Sequence, residues 1–375
     1  MADETTMKQR QKNGQKEKRG GFTLVELMIG GSIMLIVILA TLSIYVRSNK
    51  VSVDQQGYAE MQHDVRSSMY FVSRDIRMAG IGLPLEFMGH YLQGVDNDAT
   101  DTAAGITPDR LIMLGNLEDP LNLKIYRYMG SSITLDLDDY SFEQNPYSDD
   151  FYANKIVIIL PRPSSPCRVA EIREVTHVTH NTGASNEKLN FSPGLAPGIN
   201  PPGGLSGTCD DSSDYNGGTV TFADVKEFWL DLTGYYPGLS AGTNGYIGNG
   251  HGNILYMTAN AIHYPIAQNI ENLQFQYNGD LDNDGNLDGF QDWNANWTVD
   301  EIGRIRQVRV WILGKTKNKF VSVSGTPPDN VHLYRRPAVA NTAAAGADDL
   351  CRRFLLDSTA NVRNMTLNIY NTGAR

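Results

Sequence analysis

From Phe22 to Val46 the chain carries a single carboxylate, Glu26, and no other ionisable side chain except Tyr45. A helix of that length, rising about 1.5 Å per residue, spans a bilayer. This run constrains the chain more than any other feature, because a segment apolar on every side belongs in lipid or inside other protein. Lys8, Arg10, Lys12, Lys16, Lys18 and Arg19 precede it, against Asp3, Glu4 and Glu17. By the positive-inside tendency the start is cytoplasmic and the remainder is exported. Without that leading segment the formal charge moves from −10 to −13, which argues against a nucleic-acid surface, since such surfaces need clustered cations. The hydrophobic fraction of 41% and charged fraction of 20% are those of a folded protein rather than a disordered one.

A secretory signal has a shorter apolar core and a small-residue cleavage site behind it. Here the run is too long, and "TLSIYVRSNKVSVDQQGYAEMQ" simply continues in helix-compatible residues. A plain membrane anchor fits the length but leaves Glu26 unexplained, because a carboxylate at membrane depth is costly without a partner.

"RGG" followed by "FTLVE" and the apolar helix resembles the processing site of type IV prepilins, including the pseudopilins of type II secretion. The resemblance implies cleavage by a membrane prepilin peptidase between Gly21 and Phe22, and N-methylation of Phe22. It also implies that Glu26, fifth in the mature chain, pairs with the terminal amine of a neighbouring subunit. Two charges that are each prohibitive alone in hydrocarbon largely offset one another when paired.

Beyond the apolar run, Tyr58, Met61, Val65, Met69, Val72, Ile76 and Ala79 recur at steps of three or four, one face of a helix. No proline interrupts the chain from Phe22 to Leu83, and "AGIGLP" supplies stop signals. The expected organisation is a leader over 1–21, a helix over 22–83 with its membrane span at about 22–46, and a globular domain over 84–375. In that domain short apolar runs such as "RLIMLG", "KIVIIL", "NILYM", "ENLQFQY" and "RIRQVRVWIL", separated by Gly, Pro, Asn and Asp, predict strands. The fold class is α+β: a long amino-terminal helix, amphipathic in its second half, packed on a mainly antiparallel β-sheet. The interval 179–252, rich in Gly, Pro, Ser and Asn, is expected to be a long surface excursion with only a brief strand.

The helix ending in "MYFVSRDIRMAGIG", then "IENLQFQYNGDLDNDG", "RQVRVWILGKT" and "RRFLLDSTANVRNM", together resemble a PilW-type minor pilin. This implies a low-abundance subunit that initiates or caps a type IV pilus with other minor and major pilins. Such a subunit resides in the inner membrane before assembly and in the filament or its tip afterwards, its globular domain periplasmic to extracellular. The J-type minor pseudopilin of type II secretion has a similar layout and stays an alternative, as does a tip-exposed binding module active in cell adhesion. K-type pseudopilins as a rule lack the glutamate found here at Glu26.

No catalytic motif stands out: "GxxxxGK[ST]" and "HExxH" are absent. His177 and His180, in "HVTH", would point to opposite faces of a strand, so joint metal ligation is not expected. No enzymatic activity is expected. Of the three cysteines, Cys167 and Cys209 are the preferred disulfide, since that bridge would close the Gly- and Pro-rich interval. Cys351 is the alternative partner.

"DLDNDGNLDGFQD" predicts a structural Ca²⁺ site. Asp280, Asp282 and Asp284 alternate, Gly285 stands at the sharp turn, Asn286 offers its backbone carbonyl and Asp288 holds the ninth place. Gln291 occupies the twelfth place, where a glutamate is expected, and Asp292 could close the shell instead. The competing reading is a solvated turn, which the same residue types favour without a metal.

Overall fold

The computed structural model describes residues 21–83, 89, 91–98, 106–116, 122–128, 134–138, 152–167, 170–179, 187–192, 200, 212–232, 253–259, 262–316, 334–344 and 349–362. The chain divides into two compact units, Met1–Gln56 and Gly57–Arg375. Helix α1 is continuous over Leu24–Met78, and its most apolar stretch is long and apolar enough to cross a membrane. In the first unit, every described residue from Gly21 to Val53 is exposed. Ser32 and Thr41, two of the hydroxyl-bearing residues within the apolar run, donate to the carbonyls of Met28 and Val37 at 2.8 Å each, so neither is left unsatisfied in an apolar setting.

The helix stops at Met78, short of the expected Leu83. Gly80 takes φ +73°, a left-handed conformation that ends helices and that favours glycine. A side chain there would also collide with the Tyr91 ring, 2.2 Å from a built Cβ.

In the second unit the strands are Leu92–Val95 (β1), Arg110–Gly115 (β2), Asn122–Arg127 (β3), Thr134–Leu137 (β4), Ile156–Leu160 (β5), Glu171–Glu174 (β6), His177–Thr179 (β7), Lys188–Asn190 (β8), Thr219–Asp231 (β9), Ile254–Ala259 (β10), Ile262–Ala267 (β11), Ile270–Gly279 (β12), Ile305–Lys315 (β13) and Arg353–Asn361 (β14). A one-turn helix, α2, spans Val299–Gly303. Among the described residues β1 to β11 form one sheet, in which β9 pairs with β2, β3, β5 and β10, and β12–β13–β14 form a second. The named pairings are antiparallel. The long helix and the antiparallel sheets together make the α+β fold.

One expectation is corrected here. The interval 179–252 is not simply a surface excursion: it contains β8 and β9, and β9 is the strand with the most partners in the large sheet. Its polar members hid it. Asp224 and Asp231 are buried in β9, and Asp224 is matched by Lys155 at 3.4 Å, a pairing across about seventy residues that no local pattern reveals.

The amphipathic half of α1 is buried as its periodicity predicts. Val65, Met69, Val72 and Ile76 share a core with Leu111, Met113 and Phe228 of the large sheet and Leu273, Phe275, Val308 and Val310 of the small one. Asp75, also buried, meets Lys226 of β9 at 3.2 Å and Arg74 at 2.9 Å. A second core, away from the helix, gathers Leu123, Leu135, Val157, Val178, Leu189 and Phe222.

Candidate functional site

The processing site predicted from the sequence is open. A Cβ built on Gly21 meets nothing within 4 Å, and Phe22 is 87% exposed. Residues 1–20 lie outside the described residues. Glu26 stands in the first turn of α1, where Thr23 and Glu26 form the reciprocal bonds of a capping box. The Thr23 N–H and hydroxyl both donate to Glu26 Oε2 at 2.9 Å, and the Glu26 N–H donates to Thr23 Oγ1 at 3.3 Å. Sequence reasoning missed Thr23, although "TLVE" is legible as a Thr-x-x-Glu box. Both bonds fall on Oε2, which leaves Oε1 open to a further donor.

The aspartate-rich loop is closed at its base by a bridge between Tyr277 and Gln291, with reciprocal N–H to carbonyl bonds of 2.7 and 2.9 Å. Within it the carboxylates of Asp280, Asp282 and Asp284 each offer an oxygen, all within 4.8 Å of one another. Gly285 takes φ +91° and Asn283 φ 64°, so the sharp turn falls where the motif needs it. The Gly285, Asp284 and Asn286 N–H groups donate to Asp280, Asp282 and Asp284 at 3.1, 3.1 and 2.7 Å. The Oδ1 atom of Asp280 is buried with no hydrogen-bond partner, the situation a cation would relieve. Arg306 lies close enough to act electrostatically on Asp280.

Two expected ligands do not join these three carboxylates. Asp288 Oδ2 accepts from the Leu281 N–H at 2.7 Å, and Asp292 Oδ1 accepts from the Gln276 side-chain amide at 3.1 Å. Asp292 follows the closing bridge, and β12 holds its side chain.

Cys167 is disulfide-bonded, and Cys209 lies outside the described residues. Cys351 is a buried thiol, 2% exposed. His177 is exposed in β7, and His180 lies outside the described residues.

A further buried carboxylate was not singled out in the sequence. Asp109 precedes β2 and accepts the N–H groups of Asn97 at 3.0 Å and Phe275 at 2.8 Å, tying the two sheets together. Burial pushes its carboxyl up to about 7, against those two donors and reinforced by the charges of Asp96 and Asp292.

No protein-family model matches the chain, and no curated protein matches it. Among solved structures it is similar to a type IV-like pilin from Thermus thermophilus, at 12% identity over 38% of this chain and 79% of that one, with a TM-score of 0.18. A score that low lends no weight to a functional assignment.

Proposed function

We propose that the chain is a pilin-like filament subunit, of the minor type that initiates or caps a type IV pilus. One observation carries this reading: the first carboxylate after the Gly21–Phe22 junction sits in the opening turn of a helix otherwise apolar and exposed through Tyr45. A buried lipid span alone gives no reason for Glu26, whereas a neighbour's terminal amine does. The box with Thr23 is compatible with that role, since it orients the carboxylate and keeps Oε1 available. On this reading the chain waits in the inner membrane, its β-rich domain on the periplasmic side, is cut by a prepilin peptidase, and packs with other pilins through α1.

Two structural features accompany the proposal. Asp280, Asp282 and Asp284 would hold Ca²⁺, with the orphaned Asp280 oxygen as the favouring observation and the Asn286 carbonyl as a further ligand. Cys167 would be bridged to Cys209, stapling the chain that leads into β9.

The test is processing. Co-expressed with a prepilin peptidase, the wild-type chain should yield a mature form whose amino-terminal residue, by sequencing, is methylated Phe22. Gly21→Leu should leave it uncut. Mature protein from the Gly21→Leu chain, or a wild-type chain that is never cut, would overturn the proposal.

A further inference from the structure

A cavity of about 730 Å³ opens beside β1, between Leu92, Leu114 and Ile172 on one side and Trp293, Trp297 and α2 on the other. Two indoles line it. Their ring centroids lie 5.2 Å apart at 76°, and each also meets Tyr277 edge-on, at 5.1 and 6.2 Å. Gly94 of β1 makes this arrangement possible, because a Cβ there would stand 2.5 Å from the Tyr277 hydroxyl oxygen and 2.7 Å from the Trp293 ring. Among the described residues that line it, the charged one is Asp96.

Among the described residues, the charge on the cavity wall is one-sided. Asp96 accepts from the neutral amides of Asn97 at 3.0 Å and Asn341 at 2.6 Å. Asp96 and Asp292 each act electrostatically on Asp109, and among the described residues Asp109 and Asp292 accept from uncharged N–H groups. Among the described residues no lysine or arginine pairs with any of the three. Arg110, nearby, is engaged by Asp98 and Glu227. Carboxylates beside indole rings attract cations, through their charge and through the ring quadrupoles. An anionic ligand would be repelled by Asp96. A saccharide would stack on the indoles but needs several fixed polar partners, and the wall offers few besides Asp96 and Gln93.

We propose that this cavity binds a small alkylammonium cation, its charge facing Asp96 and its methyl groups against Trp293 and Trp297. The site does not depend on the filament role, and it adjoins the base of the aspartate-rich loop through Tyr277. A free cation suits it better than a phosphocholine headgroup, whose phosphate would face the same carboxylates.

The experiment uses the full chain in a polyoxyethylene detergent at pH 8, with indole fluorescence and calorimetry as readouts. Tetramethylammonium and choline should give saturable binding. The neutral isostere 3,3-dimethylbutan-1-ol should bind at least about tenfold more weakly, the scale of a lost charge contact. Phosphocholine should bind more weakly than choline, and glucose should not compete. Asp96→Asn, which keeps shape and an acceptor, should weaken choline by about tenfold while its circular dichroism and melting stay those of the wild type. Equal binding of alcohol and choline, preferential binding of phosphocholine or glucose, or no saturable response to either cation would overturn the proposal. If Asp96→Asn does not fold, the comparison of choline with its isostere on the wild-type chain decides alone.

Discussion

At Gly314 of β13 the helix seats closely on the small sheet. A Cβ there would lie 2.5 Å from Val65 Cγ2 and 2.9 Å from Met61 Cγ, and both side chains are fully buried. Gly314→Ala therefore forces a methyl into filled space. Overpacking of this kind costs about 1 to 3 kcal/mol. The loss of chain freedom in the unfolded state returns about 0.5 to 1 kcal/mol, so a net destabilisation of about 1 to 2 kcal/mol is expected. Val65→Ala removes two buried methyl groups and should cost about 2 kcal/mol, including part of a cavity term. In the double variant the new methyl enters the space the valine vacated. The two changes should then be coupled by about 1 to 2 kcal/mol, the double variant being no less stable than Val65→Ala alone. Urea unfolding of the detergent-solubilised chain, followed by tryptophan fluorescence, measures all four corners of the cycle. Additivity within about 0.5 kcal/mol would refute the seating of α1 at Gly314.

Three further outcomes are expected. Burial pushes the Asp109 carboxyl up to about 7 from its ordinary 3.8, so its neutral form is favoured on folding; stability is fully present below about pH 4 and is lost as pH rises to 7, by about 4 kcal/mol in all. Asp109→Asn should flatten that part of the stability-against-pH curve, and an unchanged slope between pH 4 and 7 would contradict the assignment. Glu26→Gln keeps an acceptor for the Thr23 bonds but removes the charge, so membrane insertion should persist while entry into filaments falls, measured by immunoblot of sheared filaments against membranes; wild-type entry would show that capping, not charge, is what Glu26 supplies. Ca²⁺ at millimolar concentration should raise the melting temperature of the chain and chelator should reverse this; Asp282→Ala and Asp284→Ala should abolish the shift, and no shift in the wild type would remove calcium from the loop.

What the residue order determined by itself was local. The 3.6-residue recurrence from Tyr58 to Ile76 specifies a helix and its buried face, because both depend on neighbours three and four places away. The run from Phe22 to Val46 with its one carboxylate, the Thr-x-x-Glu cap, the short apolar strands and the turn at Gly285 are of the same kind. Tertiary structure decided whatever depends on residues far apart. Strand β9 carries Asp224, Lys226, Glu227 and Asp231, and reads as polar until Lys155 and Arg110 are brought against two of them. Asp292 was placed to complete the calcium shell by spacing alone, but the bridge at Gln291 and the amide of Gln276 hold it elsewhere. The cavity joins β1, Leu114, Ile172 and the segment from Trp293 to Ile302, which meet only after the sheets form, since a binding wall is a property of packed surfaces and not of any one stretch of chain.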